Sequence, residues 1–215
     1  MLQIKVFTFN AFQENTYVLF DQTREAVIID PGCYEPDEQN ALHGFIETEK
    51  LKPTLLLNTH CHVDHVLGND FVKTKYKIPL LIHEKELPVL KSVRVYAPAY
   101  GFARYHETQP DNFLSEGNQI TFGVTHLKIL FLPGHAPGHV GFYNEATHSL
   151  LSGDVLFDGS IGRTDLPGGD FNTLLQSIRQ KVFLLPDETT VYPGHGETTT
   201  VGKEKVTNPF CAVTL

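Results

Sequence analysis

The sequence NTHCHVDHVLG (58–68) places three histidines and one aspartate within six positions, directly after the apolar run TLLL. A continuous apolar run of this kind is typical of a buried strand, so the polar cluster follows the end of a strand. Side chains two residues apart in an extended segment point in the same direction, and His60 and His62 can therefore reach one metal ion together. Asp64 and His65 follow at once and can reach a second ion. Imidazole and carboxylate groups suit zinc, iron and manganese.

Three later segments supply ligands of the same types next to glycines. LPGHAPGHVGF contains His135 and His139, LLSGDVLF contains Asp154, and VYPGHGET contains His195. A glycine beside a ligand lets the backbone turn sharply and approach closely. Because the first cluster alone would leave two ions short of ligands, the four segments together indicate a binuclear metal site.

The order of these motifs resembles that of a known family. HxHxDH, GHxPGH, SGD and PGHG follow one another as they do in the metallo-β-lactamase superfamily, over nearly the whole chain. The stretch SGDVLFDGSIGRTDLPGGD and the later TNPF are similar to the short bacterial type of glyoxalase II-like hydrolases. The resemblance implies an α/β fold, a four-layer αβ/βα sandwich of two mixed sheets with outer helices.

The resemblance also implies ligand roles for seven side chains: His60, His62, Asp64, His65, His139, Asp154 and His195. The two histidines of HxH and His139 would hold the first ion, and the following Asp–His pair and His195 would hold the second. Asp154 would bridge both ions. His135 matches a family position that is not a ligand, and we expect it to hold its turn through a hydrogen bond. We expect two divalent ions, with zinc first and iron or manganese as alternatives.

The remaining sequence predicts alternating strands and helices. QIKVFTF, NTYVLF, EAVIID, IPLLIH, HLKILFLPG, HVGFYN, SLLSGD and TTVYPGHG are short and apolar, and they are typical of strands. Helices are predicted over Asp37–Lys50, from Glu84 onward and after Asp170, which we expect to be an N-cap. The stretch Arg94–Phe113 is aromatic and contains prolines, so we predict an irregular and functional loop there.

Composition and charge restrict the range of partners. A chain of 215 residues is an ordinary size for one domain, and we expect a single domain over 1–215. The net charge of −8 disfavours nucleic-acid binding. No apolar stretch predicts a signal peptide or a membrane span, and the three cysteines show no CxxC spacing, so we expect a cytoplasmic protein. The chain ends about 20 residues after PGHG, so we expect no C-terminal helical domain of the kind that holds glutathione in longer glyoxalase II enzymes.

The sequence contains none of the GxSxG, SxxK or GxxxxGK[ST] motifs, so water activated by the metals is the expected nucleophile. Asp64 would orient that hydroxide and accept a proton. A thiolate leaving group needs no separate acid, because thiols have a pKa of about 8.5. The resemblance alone implies the small-molecule substrate, a thioester such as S-lactoylglutathione. Arg163 is the candidate for binding a substrate carboxylate, with an ion pair to Asp165 or Asp170 as the alternative.

Two other readings of the motifs remain open. A mononuclear iron persulfide dioxygenase would use His60, His139 and Asp154 as a facial triad. A non-catalytic module would use the metals only to hold loops together, but such sites usually have four protein ligands and no open position. Cys61, between two candidate ligands, points the opposite way from them and is expected to be a buried residue, not a nucleophile.

Overall fold

The computed structural model of the protein describes residues 1–213, which contain fourteen strands and six α-helices. The strands are β1 (Gln3–Phe9), β2 (Glu14–Phe20), β3 (Glu25–Ile29), β4 (Lys52–Leu57), β5 (Leu80–His83), β6 (Asn112–Leu114), β7 (Gln119–Phe122), β8 (Thr125–Phe131), β9 (Val140–Asn144), β10 (Ser149–Gly153), β11 (Leu156–Phe157), β12 (Ser160–Ile161), β13 (Thr190–Pro193) and β14 (Thr199–Thr200). The α-helices are α1 (Pro36–Thr48), α2 (Val63–Val66), α3 (Asn69–Tyr76), α4 (Leu87–Tyr96), α5 (Phe171–Gln180) and α6 (Val201–Thr207).

The chain divides into two compact units. Unit 1 comprises Met1–Leu114 and Thr121–His126, and unit 2 comprises Ser115–Ile120 and the chain from Leu127 onward. The expectation of a single domain over 1–215 stays a prediction.

The first sheet has the strand order β1-β2-β3-β4-β5-β6 and is mixed. β1, β2 and β3 are antiparallel neighbours, whereas β3, β4, β5 and β6 run parallel to one another. Ile29 pairs with Leu57, so the chain leaves β3 and β4 at the same edge of the sheet. Asp30 follows β3 and Asn58 follows β4, and the register therefore brings the DPG turn next to the histidine-rich segment.

The second sheet has the order β14-β13-β10-β9-β8-β7 and is also mixed. β10 and β13 are parallel and pair Leu151 with Tyr192, while β9 is antiparallel to β10 and to β8. Beyond the ends of β10 and β13, the Gly194 N–H donates to the Gly153 carbonyl at 2.9 Å. The segments that carry Asp154 and His195 therefore leave the sheet side by side.

Each unit has an apolar core of its own. In unit 1 the central strands bury Val18, Ile28 and Leu56, and α1 contributes Leu42. In unit 2 a separate set of residues buries one face of α5 against strand residues: Leu150, Leu174, Ile178 and Val191. Both helices bury apolar residues at intervals of three or four, as the 3.6-residue period requires.

The structure confirms the α/β class with two mixed sheets and most of the predicted elements. Asp170 caps α5, because its carboxylate accepts the Thr173 N–H at 2.7 Å. The prediction of an irregular stretch over Arg94–Phe113 was wrong at its start, since α4 continues to Tyr96 and a 3₁₀ turn follows over Ala97–Tyr100. Helices α2, α3 and α6 were not predicted, and the extended conformation assumed after His62 was wrong, because Asp64 and His65 lie in α2. Among residues 1–213, no helix combines the length and the apolar character needed to cross a bilayer.

Candidate metal centre

The carboxylate of Asp30 organises the loop that follows β4. Asp30 has a left-handed backbone (φ 49°) and is 2% exposed. Its Oδ1 accepts the Thr59 N–H at 2.7 Å, and its Oδ2 accepts the Thr59 hydroxyl at 2.5 Å. The same Oδ2 lies 3.2 Å from Nδ1 of His65. A buried carboxylate that receives the Nδ1 proton leaves Nε2 as the ring's electron-pair donor, which is the usual arrangement of a metal-binding histidine.

The four polar residues of the HxHxDH motif lie together in unit 1. The ring centroids of His60 and His62 are 4.7 Å apart, and those of His60 and His65 are 4.1 Å apart. Nε2 of His65 lies 3.6 Å from Oδ2 of Asp64. His60 and His65 are buried, and Asp64 is only 9% exposed. This crowding of imidazoles around carboxylates suits a cation, because buried charges are paired or coordinate metals.

A further group of side chains is close enough to share one ion: one ligand atom from each of Asp30, His60 and His65 lies within 4.8 Å of the others. His60 Nδ1 lies 3.1 Å from the Thr59 hydroxyl. The nitrogen and oxygen donors, their burial and the fixed Nδ1 of His65 together fit a divalent transition-metal ion.

Backbone contacts hold this cluster in place. The Asn10 side chain donates to the carbonyls of Asp64 (3.1 Å) and Gly32 (3.0 Å). A Cβ atom on Gly32 would lie 2.7 Å from the Asp64 carbonyl, so only glycine permits this approach. The Cys61 N–H donates to the fully buried carboxylate of Glu86 at 2.8 Å.

Cys61 itself is fully buried, as predicted. Burial raises the pKa of its thiol, and the nearby Glu86 and Asp30 carboxylates raise the pKa further. A thiol that resists ionisation is a poor nucleophile. The thiol is therefore unsuited to carry the chemistry.

In unit 2, the Asp154 carboxylate lies between two imidazoles. Its Oδ2 is 3.6 Å from Nε2 of His135 and 3.5 Å from Nε2 of His195. Nδ1 of His135 donates to the carbonyl of Arg163 at 2.7 Å, which leaves Nε2 as an electron-pair donor beside Asp154. This is again the arrangement expected of a metal-binding histidine.

The geometry of His139 is at odds with the ligand role expected for it. His139 is fully buried, and its Nε2 accepts the backbone N–H of Asp154 at 3.1 Å. A nitrogen whose lone pair accepts this hydrogen bond cannot donate the same pair to a metal. His139 therefore anchors the backbone of Asp154, and His135 has the geometry that the motif led us to expect of His139.

Arg163 is exposed, and its guanidinium binds Asp165 through two hydrogen bonds of 2.8 and 2.7 Å. Hydrogen bonding to Arg163 lowers the pKa of the Asp165 carboxyl to about 2. The ion pair that was the alternative to substrate binding is therefore present in the structure.

Residues 9–195 match the family model described as the metallo-β-lactamase superfamily, a span that includes every candidate ligand. The chain belongs to the metallo-β-lactamase superfamily. This superfamily member is 38% identical to the hydroxyacylglutathione hydrolase GloC of Haemophilus influenzae over 211 residues, which cover 97% of this chain and 98% of the relative. The family resemblance inferred from the motifs is thus confirmed.

Two solved structures show the same fold at similar identity. BLEG-1, a B3 metallo-β-lactamase, has a TM-score of 0.87 and 38% identity, and the match covers 98% of this chain and all of the other. TTHA1623 in a di-iron-bound form has a TM-score of 0.86 and 39% identity, covering 96% and 99% of the two chains. Relatives of this superfamily member thus include one structure with two bound irons.

Proposed function

We propose that this protein is a metal-dependent hydrolase that cleaves a thioester, an S-acylglutathione such as S-lactoylglutathione. The observation that carries the proposal is the cluster of His60, His62, Asp64 and His65, in which Asp30 fixes the donor nitrogen of the buried His65 ring. The similarity to GloC over almost the whole length of both chains supports a hydroxyacylglutathione as the substrate.

We propose seven metal ligands, with one change from the set that the motifs predicted: His60, His62, Asp64, His65, His135, Asp154 and His195. The family pattern supports their sharing two divalent ions, with Asp154 as the bridge. His135 replaces His139 because only His135 keeps Nε2 beside the Asp154 carboxylate. Zinc and iron are the first candidates, and the di-iron form of TTHA1623 supports iron. Bound ions would supply Lewis acidity for activating water and for polarising the thioester carbonyl.

Asp64 has the position of a residue that orients water and accepts its proton. Its backbone is held by Asn10, its carboxylate lies 3.6 Å from Nε2 of His65, and it retains slight exposure. The protein needs no acid opposite Asp64 if the leaving group is a thiolate, because thiols ionise near pH 8.5, roughly. A site without a general acid suits a thioester better than an amide, because the amine leaving group of an amide must be protonated.

Arg163 is proposed to bind one carboxylate of the substrate. Binding would exchange the bidentate Asp165 for a second carboxylate of the same geometry. The Arg163–Asp165 ion pair is therefore compatible with substrate binding, because a substrate carboxylate can take the place of Asp165. We also propose a cytoplasmic location, because Cys33, Cys61 and Cys211 are all buried free thiols.

The persulfide dioxygenase alternative has less support. Replacing His139 by His135 would leave it a triad of His60, His135 and Asp154, so the exchange of histidines does not separate the two functions. A mononuclear iron site would instead leave Asp64, His65 and His195 without a metal to bind. A non-catalytic module is also less favoured, because seven ligands on two ions leave open coordination positions.

Metal content and S-lactoylglutathione turnover, measured on the same samples, test the proposed function. Wild type should contain up to two ions per chain and should release free thiol, whereas His60→Ala and Asp154→Ala should lose metal and activity together. Lys128→Ala, which removes an exposed ion pair with Glu145, is the matched control and should behave as wild type. Oxygen consumption on a persulfide, without thioester hydrolysis, would establish the dioxygenase instead.

A further inference from the structure

Unit 1 contains a pocket of about 410 Å³ that the proposed metal centre does not use. Its volume lies in the range of small-molecule sites, about 300–1,000 Å³. One wall is the first turn of α1 with Tyr34, and another is α3 with Leu67 before it. Arg104 and His106 close the rim.

Helix α3 presents polar groups of both charges to this pocket. Asp70, Phe71, Thr74 and Lys75 all line the pocket, with Thr74 one turn after Asp70 and Lys75 one turn after Phe71. Within residues 1–213, neither the Asp70 carboxylate nor the Lys75 ammonium makes a hydrogen bond or an ion pair with the protein. One acid and one base are thus available to a ligand.

Arg104 is held in position at the rim. Its guanidinium carbon lies 4.9 Å from the centroid of the Tyr34 ring, and its backbone N–H donates to the Tyr34 hydroxyl at 2.9 Å. Glu35 accepts a hydrogen bond from the guanidinium at 2.6 Å. The restrained cation keeps donors for a further acceptor, because a guanidinium has five N–H groups.

The pocket begins close to the proposed ligands. Leu67, which lines the pocket, lies two residues after His65, a rise of about 3 Å along a helix axis. Tyr34 lies four residues after Asp30, in the segment between β3 and α1. An extended peptide spans about 3.5 Å per residue, so the γ-glutamyl residue of a tripeptide thiol extends away from the sulfur by a length of this order.

We propose that this pocket binds an amino-acid zwitterion, the γ-glutamyl end of the glutathionyl group. Asp70 takes the ammonium, and Lys75 and Arg104 take the carboxylate on the same carbon. Tyr34, Phe71 and Leu67 pack against the methylene groups that follow. This inference rests on the proposed function for the identity of the ligand.

Calorimetric binding of S-methylglutathione, a thioether that cannot be hydrolysed, to the metal-loaded protein tests the pocket without any turnover. Lys75→Ala, Arg104→Ala and Asp70→Asn should each raise the Kd by about 10- to 150-fold, the range for a hydrogen bond to a charged group. The matched controls are Lys91→Ala, an exposed lysine of α4, and Arg24→Ala, an arginine in an exposed ion pair with Glu49. Both controls should leave the Kd within twofold of wild type, roughly.

A second ligand makes the test specific for the zwitterion. N-acetyl-S-methylcysteinylglycine lacks the γ-glutamyl residue, so the Lys75→Ala and Asp70→Asn substitutions should not change its Kd. Equal Kd values for S-methylglutathione in wild type and in all three pocket variants would overturn the inference, as would equal losses with both ligands or no binding to wild type. Thioester turnover in the same wild-type sample reports separately on the proposed function.

Discussion

Nδ1 of His65 lies 3.2 Å from Oδ2 of Asp30, a carboxylate 35 residues earlier in the chain. The parallel pairing of β3 with β4 brings the two residues together, because it aligns the ends of both strands. Asp30 thus sets the donor nitrogen of a proposed metal ligand without itself belonging to the HxHxDH motif.

Asp30→Asn should lower the metal affinity by about 10- to 100-fold, as is typical when the partner of a metal-binding histidine is lost. The amide still accepts from Thr59 but no longer carries the charge that favours a proton on Nδ1 of His65. Competition with a chromophoric chelator measures the affinity. Asp187→Asn, which affects only an exposed pair with Lys205, is the control. An unchanged metal affinity in Asp30→Asn would show that Asp30 does not orient His65 for metal binding.

His135→Ala should lose metal and should lower kcat/KM by roughly 100-fold, the size of effect expected when a reacting group is misplaced. His139→Ala should retain up to two ions in excess metal. It should also lower the free energy of unfolding by about 1–3 kcal/mol, because the buried Asp154 N–H loses its acceptor. Elemental analysis and denaturant unfolding distinguish the two variants. Metal loss confined to His139→Ala would restore the ligand set that the motifs predicted.

The carboxylate of Asp21 should stabilise the fold above its unfolded pKa. Burial alone would raise the pKa of this carboxyl, but hydrogen bonds from Thr23, Val124 and Thr125 lower the pKa from 3.8 to about 2. The stabilisation, about 2 kcal/mol, is therefore complete above pH 4, roughly, and is lost as the pH falls toward 2.

Urea unfolding of metal-free wild type and Asp21→Asn, at pH 7 and near pH 2.5, measures this contribution without interference from metal release. The wild type should be more stable at pH 7, and the difference should shrink at the acidic pH. A difference that grows as the pH falls would have the wrong sign for a carboxyl with a lowered pKa.

Gly32→Ala should destabilise the protein by about 1–3 kcal/mol and weaken metal retention. A new Cβ there would collide with the side chains of Glu14 and Asn10 and with the Asp64 carbonyl. Gly44→Ala is the matched control, because a Cβ at that helical position meets nothing within 4 Å. Gly44→Ala should stabilise α1 by about 0.5–1 kcal/mol. Thermal unfolding of both variants with and without metal tests this. Equal changes in stability for Gly32→Ala and Gly44→Ala would contradict the role assigned to the close approach of the Asp64 carbonyl to Gly32.

Much of the fold and of the centre follows from sequence. The apolar run before His60 and the spacing of the motifs predict the strands that the ligand segments follow, and Asp170 predicts the start of α5, but α2, which carries Asp64 and His65, was not predicted. Helices α2, α3 and α6 escaped prediction because they have only four, eight and seven residues, too few for a clear helical period, and α6 also contains Gly202.

The roles of the two histidines in GHAPGH could not be predicted from spacing. Either ring has the right chemistry, and only the hydrogen bonds of His135 to Arg163 and of Asp154 to His139 separate them. Asp30 escaped notice for a related reason. In the sequence it is an ordinary turn residue of DPG, and only the strand register makes it a partner of His65.

The most direct test of the account is turnover of S-lactoylglutathione by one preparation before and after the metal is removed by a chelator and then restored. We predict that the stripped protein loses activity by roughly 1,000-fold or more, since metal ions supply several kcal/mol of transition-state stabilisation. We also predict that activity returns in proportion to metal bound, up to two ions per chain. A stripped protein that hydrolyses the thioester as fast as the loaded one would contradict the account.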